Sequence, residues 1–172
     1  MATIEKYMED GLLKKQPFTS WIVDGFMNQA RKNLQIMNLL DGAQKDAGTR
    51  EKFSLPKDVD TNDWVIITGY YGMYMAAQAA LAKIGYVSKS HAATIAALDT
   101  FYVKKKLIDE KYLGFLKKAE VEKEHVQQLK IARGHRETAQ YDPGAPALEK
   151  IARELKENSY QFVNKIDEIL SQ

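Results

Sequence analysis

The stretch LEKIARELKENSYQFVNKIDEI, residues 148–169, decides the fold class. Its positions Leu148, Ile151, Leu155, Ser159, Phe162, Ile166 and Ile169 advance in steps of three and four. On an α-helix that spacing lines a single face, while Lys, Arg, Glu and Asp fill the remainder. The pattern is that of a bundle seam, and it predicts a helix over about 147–170.

Working outward from that helix, Asp142, Pro143 and Gly144 form a strong stop. A fifth helix is predicted before it, from about Glu110 to Gln140. Lys104 to Ile108 connects it to a shorter helix over about His91 to Val103, capped by Ser88 or Ser90. Gly85 stands where a left-handed residue ends the preceding helix. That third helix starts after Thr61, with Asn62 and Asp63 in its first turn. Trp64, Ile67, Tyr71, Tyr74, Gln78 and Leu81 fall on one stripe of it. The stretch 48–60 holds glycine, Pro56 and mixed charge, and is expected to be a loop. A second helix follows Thr19 or Ser20, with Ile22, Phe26, Ala30, Met37 and Leu40 at helical spacing. The first covers about Ile4 to Lys14 and ends near Pro17. Nowhere does a period of two persist, so no sheet is expected. The fold class is all-α: an up-and-down antiparallel bundle with four to five core helices and about six in total.

The 172 residues, 45% apolar and 28% charged, suit one domain with a real core. Net charge is +2, which says little about nucleic acid as a partner. Between Ser88 and Gln140, however, 11 Lys and Arg face 7 Asp and Glu, a balance of +4, leaving −2 for the rest. Such asymmetry favours the approach of an anion, and it also suits solvated helix faces. No cysteine is present, which removes disulfides, thiol nucleophiles and thiolate metal sites. Residues 1–15 lack the pattern of a signal peptide, and 64–81, the most apolar run, is a poor membrane span. A cytoplasmic location and no membrane partner are the expectations.

Two segments carry a family likeness. YYGMYMAAQAALAKIG, residues 70–85, is followed by SKSH, residues 88–91: an aromatic helix, small residues, a glycine stop, then a Ser-His start. RETAQYDP, residues 136–143, stands just before the last helix. In this order and spacing they resemble the HEPN family (higher eukaryotes and prokaryotes nucleotide-binding), over about residues 64–170. Residues 61–172 form the best-matching core of a single domain, 1–172; residues 1–60 resemble only the looser N-terminal helices of archaeal and bacterial members. The resemblance implies a helical bundle that forms a homodimer. It also implies a minimal nucleotidyltransferase partner, in some pairs as toxin and antitoxin. Active members are metal-independent ribonucleases that use an Arg and, a few residues later, a His.

Arg136 is the first candidate for binding and catalysis. It shares a seam with Leu129, Ala132 and Ala139, so its guanidinium needs a partner. A structural carboxylate and a ligand phosphate both satisfy that need. The positions where the family His would follow hold Tyr141, Asp142 and Pro143. Counted from Arg133 they hold Thr138, Ala139 and Gln140. The usual base is absent, and a tyrosine with a pKa near ~10 replaces it poorly. Tyr141 takes the family's tyrosine position as a weak catalytic candidate, or serves as a packed ring beside a turn. Arg133, Gln140, Tyr71, Gln78 and His91 complete the ligand-binding set, with nucleotide or RNA as the ligand. A histidine such as His91 more often belongs to a helix start, and such tyrosines more often serve a core or an interface. Glu122 and His125 make one Glu-x-x-His, where a di-iron bundle needs two and further glutamates, so no metal and no cofactor are expected. An RNA-cleaving toxin and a purely structural interaction module are the rival readings.

Overall fold

In the computed structural model the C-terminal seam packs as its spacing requires. The structure describes residues 3–56, 58–134 and 145–172, and the side chains of all these except 129–134 and 145–146. The last helix, α7, is Ala145–Leu170. Leu148, Leu155, Ser159, Phe162 and Ile166 are buried, with Ile151 and Ile169 at the margins. Burying a residue the size of Phe162 stabilises by roughly 1.5–3 kcal/mol.

Before it come α1 (Ile4–Glu9), β1 (Leu13–Lys15), α2 (Ser20–Lys45), α3 (Ala47–Lys52), α4 (Asn62–Lys83), β2 (Tyr86–Ser88), α5 (His91–Leu98) and α6 (Glu110–Gly134). A π-helical turn, Asp99–Val103, extends α5. The long helices α2, α4, α6 and α7 form an all-α up-and-down bundle. Thr61, at the head of α4, donates from Oγ1 to the Leu40 carbonyl and from its N–H to Gln44 Oε1, so α2 and α4 run antiparallel. Arg31 pairs with Asp167 at 2.7 Å, and Lys156 with Asp41 at 2.7 Å, which sets α7 antiparallel to α2. Lys45 also reaches Asp41, at 2.6 Å. Burial would raise the Asp41 pKa, but bonds and charge from Lys156 and Lys45 outweigh it and hold the carboxyl below its usual range.

The middle of the bundle is α4. Gly69 faces α7 so closely that an added Cβ would lie 2.3 Å from Leu155 Cδ2 and 2.9 Å from Ser159 Oγ. Gly72 faces α2, where a Cβ would meet Leu34 Cδ2 at 3.2 Å. Every residue from Ala76 to Ala82 is buried. Small side chains let three neighbours approach one helix from different sides.

Several expectations change. The predicted α4 stripe is buried only in its second half, at Gln78 and Leu81; in the first half Trp64 is 50% exposed, while Val65, Ile66, Tyr70 and Met73 are fully buried. A helix covered all round has no single stripe to read. In α2 the buried positions are Val23, Met27, Ala30, Leu34, Met37, Asp41 and Ala43; Ala30 and Met37 are as expected, while Val23, Met27 and Asp41 replace their neighbours Ile22, Phe26 and Leu40. The first helix stops at Glu9 rather than Lys14, because Gly11 at φ +68 turns the chain into β1. Residues 47–52 are α3 rather than loop, since the Asp46 carboxylate caps the Thr49 N–H at 2.6 Å. The described residues therefore hold seven α-helices, not six. They also hold a small sheet where none was expected: β1 pairs antiparallel with β2, Leu13 opposite Ser88 and Lys15 opposite Tyr86. Gly85 is left-handed as expected, at φ +78, and a Cβ there would sit 3.0 Å from the Gln16 carbonyl oxygen. Among the described residues no helix is long and apolar enough to cross a membrane.

Candidate functional site

The best-formed polar cluster lies where α4, α5 and α6 meet. The turn after Gly85 brings the chain back along α4. Ser90 then caps α5 by accepting from the Ala93 N–H at 3.1 Å, which places His91 as the first helical residue. Gln78 holds this corner together. It is 4% exposed, and its Nε2 lies 2.8 Å from Tyr74 Oη, 3.1 Å from the Ser88 carbonyl and 3.3 Å from Thr94 Oγ1. Gln78 Oε1 is buried without a partner among the described residues.

Around His91 stand the tyrosines of α4. Tyr70, fully buried, hydrogen-bonds through its hydroxyl to His91 Nδ1. The Tyr74 ring lies 4.4 Å from the imidazole, centroid to centroid, and Tyr71 meets Tyr70 edge-on at 5.3 Å. Burial, then the charge of Glu120, pushes the Tyr70 phenol well above the usual tyrosine range, so it keeps its proton. Its hydroxyl hydrogen has one described acceptor, Nδ1. The ring proton of a neutral imidazole then belongs on Nε2, because the other tautomer would leave the buried O–H unsatisfied. Burial and the nearby Lys123 charge lower the His91 pKa, against Glu124, which raises it. Near pH 7 His91 is thus neutral, with an N–H to offer at Nε2.

Lys123 is the member of this cluster that the sequence reading missed. It is 6% exposed, and its Nζ lies 4.5 Å from the Tyr70 ring centroid. A signal for it exists: Leu113, Leu116, Ala119 and Val126 are buried along α6, and Lys123 continues their stripe in steps of three and four. On the same helix, Glu120 is half-buried, and burial together with Glu124 raises its pKa while Lys123 lowers it.

Of the predicted ligand-binding residues, the structure brings Tyr71, Gln78 and His91 to this one corner. Gln78 is spent on internal bonds; Tyr71 and His91 are half-buried. Arg133 belongs to α6, its backbone ten residues beyond Lys123, about 15 Å along the helix axis. Arg136, Gln140 and Tyr141 lie outside the described residues, as does the Asp142–Gly144 stop. Two wide clefts lie elsewhere and collect none of the predicted residues. One, of about 650 Å³, runs between the start of α2 and the end of α7, past Phe18, Met27 and Arg31. The other, open and shallow at about 990 Å³, borders Lys106–Tyr112 and Lys165.

Fold and site together define an all-α bundle with a tyrosine–imidazole–ammonium corner. No family model, curated protein or solved structure matches the chain.

Proposed function

We propose that the chain is a HEPN-type protein that binds nucleotide or RNA phosphate near Arg136, as a homodimer and as the partner of a minimal nucleotidyltransferase. One observation carries this reading. The two parts of the first family-like segment, the aromatic run of α4 and the Ser-His start of α5, form one physical unit through the Tyr70–His91 bond. A shared motif with a structural reason is stronger ground than two scattered resemblances. The same corner supplies aromatic rings and an N–H donor, groups that suit a nucleotide. Catalysis would be weak or absent, because no histidine follows Arg136 at the family spacing.

The deciding experiment incubates a labelled mixed-sequence RNA with the purified protein in EDTA, beside Arg136→Ala. The expected result is binding by the wild type that the variant weakens, with no cleavage by either. Cleavage lost in Arg136→Ala would instead make the chain a metal-independent ribonuclease with a substitute for the missing base. Unchanged binding with a lowered melting temperature would leave Arg136 as an internal ion pair and the chain as an interaction module. Recovery from its host without a nucleotidyltransferase would remove the proposed partner.

A further inference from the structure

Lys123 is the one lysine among the described buried residues. An ammonium taken out of water ordinarily meets a carboxylate. Lys156, less buried, follows that rule by reaching Asp41 at 2.7 Å. Lys123 forms no ion pair with any described carboxylate and has the Tyr70 face instead. Tyr70 also anchors His91, whose ring lies 5.5 Å from the same centroid, so the ammonium and the imidazole N–H share one aromatic support.

We propose that Lys123 and His91 hold a phosphate group at the α4–α5–α6 junction. A phosphate fits because its several oxygens accept from an ammonium and an N–H at once, and lysine binds it as a point charge. Tyr74 lies against the imidazole, and Tyr71 meets the Tyr70 ring edge-on. Glu120 and Glu124 oppose an anion there and limit its affinity, so the ammonium and the imidazole N–H must outweigh them. α4 and α5 add no carboxylate to the corner beyond Asp63 at the far start of α4.

The test records the His91 ring nitrogen resonances and the melting temperature at fixed ionic strength. Sodium chloride is replaced in turn by inorganic phosphate, by adenosine monophosphate, and by a short RNA lacking a terminal phosphate. The expected result is a shift of the His91 signals with a rise of about 2–4 °C. A response to phosphate and the monophosphate alone assigns a terminal phosphate; a response to RNA alone assigns a backbone diester. Lys123→Met should abolish the His91 shift and, by removing an unpaired ammonium, melt higher than wild type in chloride. Glu120→Gln should tighten the response. His91→Gln, read by melting temperature, should lose most of the rise should Lys123→Met not fold. No response to any ligand overturns the site, and so does a shift that survives Lys123→Met. A His91 shift that persists in Arg136→Ala leaves this site standing whatever becomes of the Arg136 reading, so the two readings fail separately.

Discussion

The two helices that meet at Gly69 carry their information in opposite ways. In α7 one face is apolar and the other charged, and five of the seven seam residues are buried, with Ala152 and Val163 beside them. In α4 almost every side is covered, so apolar residues occur throughout and no stripe stands out. What marks α4 as the central element is residue size: Gly69, Gly72 and a run of alanines. A helix at the rim advertises its position by pattern, and a helix at the centre by how little room its side chains take.

Substitutions can break that contrast. The largest effect belongs to the patterned helix: Phe162→Ala should lower stability by about 3–5 kcal/mol, measured by urea denaturation, because a fully buried ring leaves a cavity. Gly69→Ala should lower it by about 1–3 kcal/mol, although alanine is the better helix former, since Leu155, Ser159 and Met37 must all move. Adding Leu155→Ala should cost less in that background than in the wild type; strict additivity would mean that crowding at Gly69 is not the cause. Next comes acid sensitivity. The His91 pKa in the fold lies below its ordinary 6.5, so its stabilising contribution is present above that pH and is lost as pH falls below it. Wild type should therefore lose more stability between pH 7.5 and 5.5 than His91→Gln. At the small end, Trp64→Gln should change stability by no more than about 0.5 kcal/mol, since half of the ring is already in water.

Legibility followed the range of the interactions. Thr61, Gly85 and Ser90 were readable because helix ends are written in adjacent residues. The α3 turn was hidden because Gly48 and Pro56 argue for a loop, while one side chain, Asp46, overrides them. The exposed position of Trp64 was hidden because it depends on which helices surround α4. At the candidate site Tyr71, Gln78 and His91 stood out by residue type, yet only the packing of α4 against β2 and α5 reveals that Gln78 is internal scaffolding. Lys123 was overlooked although it interrupts an apolar stripe, the same kind of signal that singled out Arg136.

The short β1–β2 ladder has a consequence for the order of folding. Lys15 and Tyr86 pair across residues 16–85, and the Gln16 N–H to Gly85 and Lys89 N–H to Leu12 bonds extend the clasp at 2.9 and 2.8 Å. Three residues of strand cannot offset the closure entropy of so long a loop. The clasp therefore forms after α2 and α4 have docked and shortened the gap, and it opens first when the protein breathes. Its amides should exchange with solvent well before those of α4, making this N-terminal arm a slow-forming, early-releasing fastener on an otherwise locally connected bundle.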